Sequence, residues 1–164
     1  MNARTIQPSR ESSNGRGSEP CGATALYANP AAERALLGAL ATRGHCDDLV
    51  RIEREDFTAD AHRVLFDAIA RRLAAGDPVD FVLLADDVRG TCVSTVEVYD
   101  LFDEPGVSVP VYIPIVRGCR VRRMLHSLGA CLLVHASDAA REPQDVLRWL
   151  ERQVGLIQAV AARR

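Results

Sequence analysis

An all-α fold is predicted by the composition and the residue pattern of this 164-residue chain. The sequence is 48% hydrophobic but only 5% aromatic, so a core must be built from Leu, Val, Ile and Ala. Packed helices favour such residues, whereas sheets favour β-branched and aromatic ones. Apolar residues also recur at helical spacing in several segments. We therefore predict a compact helical head of about five helices, followed by a C-terminal antiparallel helical hairpin.

The chain divides into four predicted parts. Residues 1–26 are rich in Ser, Gly, Asn, Arg and Pro without apolar periodicity, which predicts a disordered N-terminal arm. The helical head is predicted over 27–104. Prolines concentrated after it predict a crossing loop over 105–113, and the hairpin is predicted over 114–164.

Four helices of the predicted head have start and stop signals, and a short helix is predicted around Leu49 to Ile52 between the first two. The starts are Asn29-Pro30, Thr58 or Asp60, Asp80, and the capping box that Ser94 forms with Glu97. The stops are Gly44, Gly76, Gly90 and Pro105-Gly106. Phe57 and Phe66 flank the start of the second long helix, where they can anchor a small core. None of these signals indicates a catalytic site.

The hairpin prediction comes from heptad spacing on two consecutive segments. Because Pro114 is tolerated only in a first turn, the first arm is predicted to start near Ile113. The predicted seam consists of Val121, Leu125, Leu128 and Leu132 on the first arm and Leu147, Leu150, Val154 and Ile157 on the second. Two helices cannot bury apolar residues on several sides by themselves. Either the head or another subunit must therefore cover the rest. Because the hairpin extends from a compact head, we favour another subunit and predict that these seam residues form an oligomer interface.

Charge is distributed unevenly along the chain, whose net charge is −2. Residues 31–104 carry 16 Asp and Glu against 8 Arg, whereas residues 105–164 carry 9 Arg against 4 acidic residues. The first hairpin arm has a cluster of arginines at Arg117, Arg120, Arg122 and Arg123. Two interpretations remain open: a surface that contacts an acidic partner or nucleic-acid phosphates, and a solvated helix face that balances the acidic head.

Several observations argue against catalysis by this chain. All 20 basic residues are arginine, and without lysine neither a P-loop nor Schiff-base chemistry can be built. The carboxylate pairs are adjacent in sequence, so their side chains diverge on a helix. The five cysteines form no CxxC pair and are interpreted as buried apolar residues. We predict no catalytic, cofactor or metal site.

The cellular location of the protein is predicted from the absence of two kinds of sequence segment, a membrane span and a secretory signal. No apolar run approaches the roughly 18 residues of a membrane span. The N-terminus has no apolar segment of the kind found in secretory signals. These observations predict a cytoplasmic protein without membrane contact.

Several short motifs follow one another through the predicted head and hairpin. They lie at 29–40 (NPAAERALLGAL), 55–57, 62–63, 65–69, 76–80, 84–85, 112–117 and 122–125. In this order they resemble the N-terminal domain of the DnaB-type replicative DNA helicases, over about residues 27–162. The resemblance implies an all-α domain without ATPase activity that dimerises through its hairpin. It also implies a ring collar above the motor domains and part of a primase-docking surface.

The sequence departs from the family pattern at two points. Pro114 and Gly118 stand where residues that favour helix are expected, which predicts a shortened or kinked hairpin. The segment EPGVSVPV, just before the hairpin, lacks the expected polar turn.

Three functional hypotheses follow. The first is a non-catalytic oligomerisation and docking module in DNA replication, a homodimer or ring-like oligomer with primase or a helicase motor subunit as partner. The second is a regulator that mimics the helicase collar and inhibits or loads a host helicase or primase. The third is single-strand nucleic-acid binding by the arginine cluster, which the scarcity of aromatic residues and the negative net charge disfavour.

Overall fold

The computed structural model describes residues 27–103 and 106–163, and the predicted N-terminal arm lies outside them. These residues form seven α-helices, one 3-10 turn and no strand. The head contains α1 (Pro30–Arg43), α2 (Cys46–Leu49), the 3-10 turn (Arg54–Asp56), α3 (Asp60–Ala75), α4 (Phe81–Asp87) and α5 (Thr95–Asp103). The hairpin consists of α6 (Val109–Ser137) and α7 (Pro143–Ala162). The predicted all-α fold is confirmed.

Most helix boundaries in the head have the predicted chemistry. Asn29 caps α1 by accepting a hydrogen bond from the backbone N–H three residues later, at 3.0 Å. Asp80 caps α4 in the same way at 2.9 Å, and Ser94 and Glu97 form the reciprocal capping box of α5. Gly76 ends α3 with a φ of 74°, the left-handed conformation that glycine adopts without a steric penalty.

The start of α3 differs from the prediction that Thr58 or Asp60 caps it. Ala59 occupies the N-cap position without a side-chain hydrogen bond, and Asp60 is the first helical residue. The Thr58 hydroxyl accepts a hydrogen bond from Arg123 at 2.7 Å, and its N–H donates to Glu33 at 3.0 Å. Tertiary partners from α6 and α1 have therefore replaced the local cap.

The first hairpin helix is longer than predicted. α6 begins at Val109, inside the predicted crossing loop, and continues unbroken through Pro114 and Gly118. Pro110 fits because the first N–H groups of a helix have no helical partner. Pro114 costs one helical hydrogen bond, but Ile113 beside it is buried against the head. Packing thus offsets the local penalty, and the predicted shortening does not occur.

The core of the head is centred on α1, which packs against α3, α5 and the N-terminal half of α6. The three leucines of its apolar side, Leu36, Leu37 and Leu40, are fully buried. Phe57 and Phe66 are also buried, with their ring centroids 5.1 Å apart. The C-terminal half of α6 pairs with α7. One helix therefore belongs to both the head and the hairpin.

Candidate functional site

Arg120 and Arg123 join the hairpin to the head. The Arg120 guanidinium donates to the carboxylates of Glu53 at 2.5 Å and of Asp56 at 3.2 Å. Arg123 donates to the Thr58 hydroxyl at 2.7 Å and to the Asp56 carbonyl at 3.0 Å. Both side chains are partly buried. Both guanidinium groups therefore bind acceptors within the chain.

Arg117 belongs to the same junction, whereas Arg122 does not. Arg117 is buried and donates to the backbone carbonyls of Arg51 and Arg163. Arg122 is exposed, and within the described residues it makes no ion pair or hydrogen bond. Arg117, Arg120 and Arg123 therefore do not form a solvated face, although Arg120 does pair with acidic residues of the head, as that interpretation expected. Contact with a partner remains a prediction for Arg122. The sequence spacing could not reveal that the head covers this side of α6.

Asp56 is the acidic centre of this junction. It is only 3% exposed, and burial raises the pKa of Asp56 above its usual value although Arg120, Arg117 and Arg123 oppose the rise. One of its oxygens also accepts the Glu53 N–H at 2.9 Å. Removing either the buried carboxylate or a guanidinium group that pairs with it leaves the other charge without its partner. Either change should therefore destabilise the junction.

A second buried polar cluster joins α1 to the start of α3. Glu33 is 1% exposed, accepts the Thr58 N–H at 3.0 Å and lies 2.7 Å from Nδ1 of His62. Burial raises the pKa of Glu33, but the hydrogen bonds from His62 and Thr58 outweigh it, so this pKa is lowered overall. Through Thr58, which also binds Arg123, the cluster connects to the arginine junction.

Sequence analysis assigned no role to Glu33. The usable signal was its position one helical turn before Leu36 and Leu37, which places its side chain on the buried face of α1. A carboxylate on such a face needs a partner. His62, in the first turn of α3, supplies it.

The inner face of the hairpin coincides only in part with the predicted seam, since Leu150 and Ile157 belong to both. On α7, the buried or partly buried residues are Val146, Trp149, Leu150, Gln153, Ile157 and Val160. Ile157 is 8% exposed, so its prediction as an oligomer contact is corrected: it packs within the chain. Trp149 lies edge-on to His135 of α6, with ring centroids 4.4 Å apart.

The other seven predicted seam residues remain at least partly accessible. They are Val121, Leu125, Leu128, Leu132, Leu147, Leu150 and Val154, and we define them as the hairpin flank. Leu125 is 51% exposed, Leu147 is 52% exposed and Val154 is 37% exposed. Val121 and Ala161 line one groove, so the apolar stripes of the two arms meet on the same side of the hairpin. The flank is an apolar surface that the single chain leaves open.

The described residues contain no cluster of three or more His, Cys, Asp or Glu that could hold a metal ion. In this part of the chain, no helix has the length and hydropathy of a bilayer-spanning segment. Cys119 is buried, whereas Cys46, Cys92 and Cys131 are exposed. The interpretation of the cysteines as buried residues is therefore wrong for these three.

The fold is that of an all-α domain in which a helical hairpin follows a helical head. Sequence comparison identifies the family to which it belongs. The model of the DnaB-like helicase N terminal domain matches residues 25–105, about half of the chain. Through this segment the chain belongs to the family of DnaB-like helicase N-terminal domains. The resemblance stated from the motifs is confirmed.

A solved structure extends the likeness beyond the head. The crystal structure of the N-terminal domain of DnaB helicase from Mycobacterium tuberculosis matches with a TM-score of 0.67 and 21% identity. The match covers 78% of this chain and 96% of that chain. At this identity the likeness shows a shared fold. No curated protein matches the sequence significantly.

Proposed function

We propose that this chain is a non-catalytic oligomerisation and partner-docking module of the replicative-helicase type, acting in DNA replication. Membership of the DnaB-like N-terminal domain family supports this class of function. The observation that carries the proposal is the hairpin flank, in which Leu125, Leu147 and Val154 remain exposed. Several large apolar side chains left exposed on one element are typical of a protein–protein interface.

The proposed occupant of the flank is a second copy of the same chain. Each arm contributes an apolar stripe to one side of the hairpin, and a twofold axis would place the flank of one subunit on the same flank of the other. Four helices would then share one apolar core. Dimers of this kind can serve as units of a larger ring. A primase or a helicase motor subunit is the proposed docking partner of the assembled form.

The test of self-association is the solution mass of matched variants, measured by light scattering after size-exclusion chromatography. Leu147→Asp places a charge on the flank and is expected to convert the oligomer into a folded monomer. Leu156→Asp is the control, because Leu156 is 57% exposed on the same helix but lies outside the flank. Equal masses for both variants and the wild type would reject the flank as the interface.

A further inference from the structure

An open groove of about 590 Å³ lies at the base of the hairpin, between α6 and the end of α7. Its floor is apolar or small and consists of Pro110, Ile113, Pro114, Gly118, Val121 and Ala161. Its remaining lining residues are four arginines, Arg51, Arg117, Arg122 and Arg163. Among the described residues, no acidic side chain lines the groove. It therefore combines an apolar floor with a wholly basic rim.

Part of the positive charge on this rim has no compensating acid. Arg163 forms an ion pair with Glu53, and the Arg117 guanidinium lies 4.0 Å from the carboxylate of Asp56. Within the described residues, neither Arg51 nor Arg122 forms an ion pair. The Nε of Arg51 is also buried without a hydrogen-bond partner there. A buried donor without an acceptor costs free energy that a bound acceptor can recover.

We propose that this groove docks an acidic, apolar peptide segment of a partner protein. Apolar side chains of the segment would occupy the floor, and its carboxylates would bind Arg51 and Arg122, since guanidinium groups pair with carboxylates in a fork geometry. The proposal rests on the proposed docking function and specifies the chemistry of the partner. A nucleic acid fits less well, because the described residues that line the groove include no aromatic ring on which a base could stack.

The first test uses a fluorophore-labelled synthetic peptide of alternating Leu and Asp, titrated with the full chain and followed by fluorescence anisotropy. Saturable binding that weakens as salt is added is expected. Arg122→Glu should weaken binding by about threefold to tenfold, because it reverses one rim charge. Arg152→Glu makes the same charge change at an exposed position of α7 outside the groove. It should leave the affinity within about twofold of the wild type.

A second pair of variants tests the apolar floor. A Cβ atom built at Gly118 or at Gly155 meets no heavy atom within 4 Å, so neither position is closed to a side chain at its first carbon. Gly118→Leu should fill the groove and weaken peptide binding at least about tenfold. Gly155→Leu makes the same change in a helix interior away from the groove, and should not alter binding. Circular dichroism checks that both variants remain helical.

Three outcomes would overturn the groove: no binding of the Leu–Asp peptide, no effect of Gly118→Leu, or equal losses for Arg122→Glu and Arg152→Glu. If oligothymidylate bound with the same affinity as the peptide, and the same variants lost this binding, the ligand of the groove would be a nucleic acid and not a peptide. Solution masses measured on the same samples separate this proposal from self-association. Because Val121 belongs to both the flank and the groove floor, the titration is made at a chain concentration where light scattering shows the monomer. A chain that stays monomeric at every concentration and binds the peptide rejects only the flank, whereas a chain that self-associates when concentrated but does not bind the peptide as a monomer rejects only the groove.

Discussion

The two halves of α6 differ in what covers them. The N-terminal half contacts the head through the buried residues Ile113 and Val116 and through the arginine junction. The C-terminal half pairs with α7 and leaves Leu125 and Leu133 exposed. The first half fixes the direction of the hairpin, and the second half presents an apolar surface. Contacts with the head and exposed apolar side chains are thus concentrated in different turns of one helix.

The largest expected effect comes from breaking the anchored half. Asp56→Ala removes the buried carboxylate that accepts from Arg120, and leaves guanidinium groups with fewer acceptors. We expect the free energy of unfolding to fall by about 3 kcal/mol, measured by urea denaturation. Asp67→Ala is the control, since its ion pair with Arg54 is nearly half exposed and should contribute less than about 1 kcal/mol. Similar losses in the two variants would contradict a special role for the junction.

A smaller, pH-dependent effect is expected at the neighbouring cluster. Glu33→Gln should lower the stability by about 1–3 kcal/mol at neutral pH, because a charged acceptor for Thr58 and His62 is lost. The folded-state pKa of Glu33 is lowered. Its contribution is therefore complete above the ordinary value of 4.5 and is lost as the pH falls from there through the folded-state pKa.

The measurement is the difference in unfolding free energy between the wild type and Glu33→Gln as a function of pH. This difference should shrink on acidification below about pH 4.5. A difference that stays constant, or grows, as the pH falls would contradict the lowered pKa. Taking the difference between the two proteins isolates Glu33 from the opposite contribution of Asp56, whose pKa is raised.

The exposed half of α6 should respond differently. Leu125→Asp is expected to change the stability of the monomer by less than about 1 kcal/mol, because half of the Leu125 side chain is already accessible. The same substitution should abolish self-association. Urea denaturation at a protein concentration low enough to give monomers, combined with the solution mass, separates the two effects. A large loss of monomer stability would show that Leu125 belongs to the core of the chain.

The smallest effect is expected for the one arginine of the cluster outside the junction. Arg122→Ala should change the free energy of unfolding by no more than about 0.5 kcal/mol, because Arg122 is exposed and makes no ion pair within the described residues. Arg120→Ala is the informative counterpart, since Arg120 contacts Glu53 and Asp56. If the two substitutions were equally harmless, the four arginines would form one solvated face after all.

The sequence predicts the elements of this fold better than their contacts. Caps at Asn29 and Asp80 depend on neighbours within one turn, so local rules are sufficient to find them. Thr58 has the same chemistry as a cap, but Glu33 and Arg123 bind it. These partners lie far away in the sequence. Rules based on neighbouring residues therefore cannot predict that Thr58 binds them and does not cap the helix.

The same limit applies to the candidate site. Heptad spacing identified the apolar residues of both hairpin arms, but it could not separate Ile157, which packs within the chain, from Leu147, which is exposed. That distinction depends on which face of α7 packs against α6, which heptad spacing alone does not fix. The groove at the base of the hairpin could not be predicted either. Arg51 and Arg122 approach it from segments whose proximity is created only by the fold.

The most direct test of the assembly claim is the solution mass of the wild-type chain across a dilution series. If the hairpin flank binds a second copy, the mass should be a multiple of 17.9 kDa at high concentration and fall towards that value on dilution. A mass of 17.9 kDa at every concentration would contradict the account. The flank would then be an apolar surface that a second copy of this chain does not cover.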